Sequence, residues 1–103
     1  MALKIIWSPL AQQKRKEILT YWNDRNSNPD YSRKLNSLFI EAAKQLAKFP
    51  LIGRTSDIDG VRVKIVRDYL LFYEVTDRSI EILTIWDSRQ NPDEIKSKMI
   101  PRS

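Results

Sequence analysis

The chain opens with a short apolar run, Lys4 to Trp7 (KIIW), of the kind that forms a strand. Ser8-Pro9 then predicts a helix start, because a Ser side chain caps free N–H groups and Pro is tolerated at the first helical position. A helix over about residues 9–25 places Ala11, Ile18, Tyr21 and Trp22 along one side, with Lys14, Arg15 and Lys16 in its middle. The polar stretch NDRNSN (23–28) breaks that pattern. Asn28-Pro29-Asp30 repeats the start logic, with a capping Asn, Pro at the first helical position, and an acid beside the positive helix end. Tyr31, Leu35, Leu38, Phe39, Ala42, Leu46 and Phe49 then recur mostly at gaps of three and four, the period of an amphipathic helix, and Pro50 stops it. Two consecutive helices joined by a short loop predict a hairpin.

Residues 51–60 read as a loop and hold both glycines, Gly53 and Gly60. Residues 61–92, VRVKIVRDYLLFYEVTDRSIEILTIWDSRQNP, predict three strands joined by tight turns at Arg67-Asp68 and Asp77-Arg78. Those turn centres set a register. Arg62 lies opposite Tyr73, and Tyr73 opposite Ile82; Lys64 lies opposite Leu71, Leu71 opposite Thr84, and Tyr69 opposite Trp86. Directly opposed residues share a face. One face then carries Val63, Ile65, Leu70, Phe72, Leu83 and Ile85, all apolar and expected beneath the helical hairpin. The other carries Arg62, Lys64, Leu71, Tyr73, Ile82, Thr84 and Trp86 and is expected to point away from it. Arg67 and Arg89 fall near the same end of the sheet. The pattern therefore predicts a single α+β domain: an N-terminal strand at an edge or the centre, and a helical hairpin packed on a small antiparallel sheet. A short C-terminal helix or tail follows from Asn91-Pro92-Asp93, ending before Pro101.

At 103 residues the chain holds one modest core. Its formal net charge of +5 points to an anionic partner, either nucleic acid or an acidic protein. The absence of His and Cys removes Ser-His-Asp and Cys-His catalysis, and zinc sites built from those ligands. Acid–base chemistry would fall to Lys, Tyr, Arg, Asp or Glu with shifted pKa values. No apolar run approaches the roughly 20 residues of a membrane span, and MALKIIWSP is short for a secretory signal, so a cytoplasmic protein with no membrane partner is expected.

The face that interleaves Arg62 and Lys64 with Tyr73 and Trp86 suits base stacking and phosphate pairing. It equally suits burial under a partner peptide, or a plain solvated sheet with cationic stems over the rings. Asp57 and Asp59 are the one weak divalent-ion candidate, and two acids before a Gly in a polar loop are ordinary loop chemistry. Lys14-Arg15-Lys16 reads as a solvated helix face rather than a DNA footprint. No phosphate-binding glycine motif occurs and no cofactor is expected.

The order strand, helix hairpin, three-stranded meander resembles the RelE/ParE superfamily of toxins from type II toxin–antitoxin systems, along nearly the whole chain. The resemblance is carried by WSP before the first helix, the central VRVKIVRDYLLFYEV and the closing IEILTIWDSRQNP. It implies a small cytoplasmic toxin, encoded with a cognate antitoxin that wraps it with a segment folding on binding. RelE-like members cut messenger RNA in the ribosomal A site; ParE-like members inhibit DNA gyrase. On the RNA-cutting pattern, Arg62 and Lys64 match the basic pair on the strand facing RNA, Arg89 matches the arginine after the last strand, and Tyr73 is the acid candidate. Leu70 stands where such members carry arginine, and Ile95 and its neighbours stand where they often carry tyrosine. These departures resemble the ParE type, in which Arg62, Lys64, Leu71, Tyr73, Ile82 and Trp86 would bind a protein partner. The alternatives are a ribosome-dependent endoribonuclease and a degenerate homologue that only binds antitoxin.

Overall fold

The structure is a computed structural model and describes residues 2–89. Strand β1 (Lys4–Trp7) leads into helices α1 (Pro9–Asn26) and α2 (Asp30–Lys48). A short β2 (Arg54–Thr55) precedes the meander β3 (Arg62–Val66), β4 (Tyr69–Val75) and β5 (Ser79–Asp87). The five strands lie in the order β1-β5-β4-β3-β2, with β1 parallel to β5 and the other pairs antiparallel. The first strand is thus an edge strand, and the expected loop contains a two-residue edge strand of its own. No described helix is long and apolar enough to cross a membrane.

The helix boundaries follow the local chemistry. Ser8 Oγ accepts from the Ala11 N–H at 3.0 Å, capping α1, and donates to Leu83 O at 2.7 Å, tying the helix start to β5. Ser27, in the left-handed region at φ 56°, ends α1 and donates its N–H back to Asn23 O. Asn28 Oδ1 accepts from the Asp30 N–H at 2.9 Å in a tight turn that leads into α2, but the cap position is Pro29, one residue later than expected, and no side chain caps this helix. Helix α2 stops at Lys48, and Phe49 projects into water instead of extending the apolar stripe. On α1, Ala11 is buried and Ile18 and Trp22 pack on the core, whereas Tyr21 is half exposed.

Both turns centre where the sequence places them. Tyr73 pairs with Arg62 and Ile82, and Lys64 pairs with Leu71. Beyond Tyr73 the register differs, because Phe72 pairs with Thr84 and Leu83 is the extra residue of a β-bulge. Leu71 therefore meets Ile85 rather than Thr84, and Tyr69 meets Asp87 rather than Trp86. One extra residue exchanges the faces of everything after it, so Ile85 lies with Leu71 while Trp86 lies on the opposite face.

The expected phase of the sheet is inverted. Ala11, Ala43 and Leu46 of the helices pack on Leu71, Tyr73, Ile80 and Ile82. Leu35, Phe39 and Ala42 pack on Val66, Tyr69 and Ile85. Leu71, Tyr73 and Ile82 were assigned to a face pointing away from the helices; all three have no exposed surface. Phe72, Leu70, Val63 and Leu83, assigned beneath the helices, instead form a third cluster with Val61, Trp86 and Ile58. The physical reason is that β4 is apolar at five successive positions, YLLFY, so both faces of the strand are buried. Burying each large side chain contributes roughly 1.5–3 kcal/mol on either face. Alternation says which residues travel together, and the helices choose between two apolar sets. Arg62 and Lys64 remain compatible with the helix side because β3 lies toward the sheet margin, where long stems carry charge outward.

Candidate functional site

The residues singled out from the sequence do not form one surface. At the β2 end of the sheet, Tyr73 Oη donates to Pro50 O at 2.7 Å and accepts from the buried Gly53 N–H at 3.1 Å. Arg62 Nη2 donates to Leu51 O at 3.0 Å and Gly53 O at 2.8 Å. The tyrosine and the guanidinium thus hold four backbone groups of the loop from Pro50 to Gly53. A Cβ on Gly53 would lie 2.5 Å from Tyr73 Oη, so only glycine permits this approach. Tyr73, expected on an outward face, instead has its hydroxyl in the interior with both of its hydrogen-bonding roles filled.

Lys64 lies in a groove of about 280 Å3 between α2 and β3, with Leu38, Glu41, Gln45 and Arg67. Arg67, at the β3–β4 turn, adopts φ 57°, a conformation costly for a residue with a Cβ. At the opposite end of the sheet from Arg62, a cleft of about 340 Å3 opens between α1 and the end of β5. Lys14, Glu17, Tyr21, Tyr69, Asp87 and Arg89 line it. Arg89 makes a two-point pair with Asp87, its Nη2 2.6 Å from Oδ2 and its Nε 2.9 Å from Oδ1. The Arg89 hydrogen bonds hold the Asp87 carboxyl below its usual range, and the pair raises the Arg89 pKa further above its already high value. Burial pushes the Tyr69 phenol up, opposed by the N–H it accepts from Trp22 at 2.8 Å. Lys14 pairs with Glu17 at 3.7 Å. This end of the sheet holds a neutral phenol and two self-neutralised ion pairs.

The geometry decides what these groups can do together. Tyr73 and Tyr69 are four residues apart on β4, about 13 Å; Arg62 pairs with the first, while Asp87, the partner of Arg89, pairs with the second. Phosphate cleavage by a 2′-hydroxyl needs base, acid and charge stabilisation within hydrogen-bond reach of one phosphate. Arg62, Lys64, Tyr73 and Arg89 are spread along the sheet, with two cations engaged and the phenol buried. Nor do Arg62, Lys64, Leu71, Tyr73, Ile82 and Trp86 make a contact surface by themselves. Leu71, Tyr73 and Ile82 are core, and Trp86 is 4% exposed against Phe72 and Val61. Arg15, expected on a solvated face, sits 4.4 Å over the Trp7 ring, and burial lowers its pKa. Among the described residues no group of three or more acids is placed to hold a metal ion. Sequence reasoning missed the Trp22–Tyr69 bond and the Asp87–Arg89 pair. Asp87 and Arg89 flank Ser88, a spacing that hints at the pair, but nothing local announces the bond across 47 residues. The expected tail helix and Ile95 lie outside the described residues.

Comparison with known proteins supplies the family. The model of the ParE toxin of type II toxin–antitoxin systems, parDE, matches residues 5–92. The chain belongs to this family, the toxin side of a two-component system. Among solved structures it is similar to the chromosomal ParDE toxin–antitoxin system from P. aeruginosa, at 21% identity and a TM-score of 0.73, covering 84% of this chain and 96% of that one. It is also similar to E. coli RelE in the free state, at 15% identity and a TM-score of 0.63, covering 99% and 98%. A third is the RelBE2 toxin–antitoxin complex from Mycobacterium tuberculosis, at 15% identity and a TM-score of 0.60, covering 84% and 99%. At these identities the likeness is one of fold. Comparison with curated proteins returned no match.

Proposed function

We propose that this protein is a growth-inhibiting toxin of the ParE type, which acts by binding DNA gyrase and is not itself a nuclease. The observation that supports this reading is the dispersal of Arg62, Lys64, Tyr73 and Arg89. An RNA-cutting centre would have these groups converge on one phosphate. Here the phenol is enclosed, Arg62 holds backbone carbonyls, and Arg89 is bound to Asp87. A toxin that works by occupying a protein surface needs none of them to meet. The family match points the same way. The two toxin–antitoxin complexes of the same fold support a cognate antitoxin as the neutralising partner, and the net charge of +5 suits an acidic segment that folds on binding.

Induction of the chain without its antitoxin tests the reading. Growth arrest with altered plasmid supercoiling and intact transcripts is the expected result. Cut transcripts with normal supercoiling would replace it with the ribonuclease reading, and the Arg62→Ala, Lys64→Ala double variant would then abolish cutting. Normal growth would identify a homologue that has kept antitoxin binding alone.

A further inference from the structure

The two most exposed large hydrophobic side chains of the described residues, Leu51 and Phe49, lie in one turn with a third exposed one, Ile52. Leu51 is 68% exposed, Phe49 61% and Ile52 48%, all in the turn between α2 and β2. Loops with this composition are usually either buried or mobile. This one is neither, because its backbone is held from beneath. Tyr73 Oη binds Pro50 O and the Gly53 N–H, Arg62 binds Leu51 O and Gly53 O, and the Ile52 N–H closes on Phe49 O at 3.2 Å. A buried phenol and a cation are thus spent on fixing four residues whose own side chains contribute little to the core. Stability explains the anchoring. It does not explain why the anchored side chains are Phe, Leu and Ile.

The surroundings select the partner. From residue 42 to residue 56 the chain has no Asp or Glu, while Lys44, Lys48 and Arg54 are all exposed. A rigid apolar knob with a basic rim is the anatomy of a binding centre, in which ordering costs are already met and the rim steers an opposite charge. Nucleic acid fits it less well, since Leu51 and Ile52 offer no ring for stacking and Phe49 is alone.

We infer that the Phe49–Ile52 loop is the surface with which the toxin grips its target, inserting Phe49, Leu51 and Ile52 into an apolar recess of an acidic protein surface. The inference rests on the proposal that the toxin acts by binding a protein, and it adds where that protein is held. The test uses the full chain carrying Phe49→Ser, Leu51→Ser and Ile52→Ser together. A second variant, Lys48→Glu with Arg54→Glu, keeps the apolar knob and serves if the first fails to melt like the parent. Purified gyrase is assayed for supercoiling, and growth is followed on induction. The expected result is a loss of inhibition of at least about tenfold by either variant, with an unchanged melting transition. Parental potency in a folded variant overturns the inference. If the unmodified chain leaves gyrase untouched, the gyrase reading fails separately, and growth decides the loop. Arrest that disappears in the variants supports a different acidic target, whereas arrest that persists, or never occurs, overturns the inference. A shift of plain duplex DNA that the triple substitution abolishes would assign the loop to nucleic acid and overturn it as well.

Discussion

Replacing Tyr73 with Phe removes one oxygen atom from the least exposed aromatic of the sheet and leaves its packing in place. The change isolates two hydrogen bonds, the 2.7 Å donation to Pro50 O and the 3.1 Å acceptance from the Gly53 N–H. Gly53 is buried, so its N–H has no route to water without local opening. A buried polar group left without a partner costs about 1–3 kcal/mol, and the Pro50 carbonyl, nearer the surface, costs less. Arg62 still binds Gly53 O and Leu51 O, so the loop stays attached. The expected loss is about 2 kcal/mol, which for a domain of this size lowers the melting temperature by roughly 8–16 °C. Urea unfolding should show a lower midpoint at an unchanged slope, and hydrogen exchange at the Gly53 amide should accelerate. A loss below about 0.5 kcal/mol, with Gly53 still protected, would refute the claim that the phenol anchors this loop. It would also reopen the expectation that Tyr73 faces outward.

Gly53→Ala should destabilise by about 2–3 kcal/mol, because the new Cβ meets Tyr73 Oη at 2.5 Å and Val63 O at 2.7 Å; a thermal melt checks it. Ser8→Ala removes both the α1 cap and the tie to Leu83 O and should cost about 1–2 kcal/mol in urea unfolding. Arg67→Gly relieves a positive φ of 57° and should stabilise by about 0.5 kcal/mol, read as a raised urea midpoint. The Asp87–Arg89 pair sets a pH dependence. The carboxyl pKa is depressed in the folded state, so its contribution is fully present above the unfolded value of about 3.9 and is lost as pH falls through the folded value. Parent and Arg89→Ala should therefore differ in midpoint at neutral pH and converge in strong acid; a difference that persists there would refute the assignment.

The candidate site was legible only in parts. Arg62 and Tyr73 are opposite each other as the turn spacing requires, and Arg67 lies near the Arg89 end, where the Ser88 N–H donates to Asp68 O at 2.8 Å. The misreading was of the side they face. An aromatic between cations suggested a wet surface, but a tyrosine is equally suited to an interior where backbone groups meet its hydroxyl. The partners that make this possible, Pro50 and Gly53, lie 23 and 20 residues upstream in a stretch that reads as featureless loop.

Taken alone, the order of residues determined the elements and their kinship. Ser8-Pro9 places the start of α1 through a side-chain cap and Asn28-Pro29 that of α2 through a tight local turn, and the gaps of three and four from Tyr31 to Leu46 define the buried stripe of α2. Arg67-Asp68 sets the β3–β4 register through turn length. These are short-range effects, each complete within a few residues. The covered side of the sheet was a different matter, because both faces of YLLFY are apolar and their burial energies are nearly equal. That choice was made by α2, by the parallel pairing of Ile5 and Trp7 with Ile80 and Ile82, and by one extra residue at Leu83. Contacts across the whole chain decided it, and no window of sequence contains them.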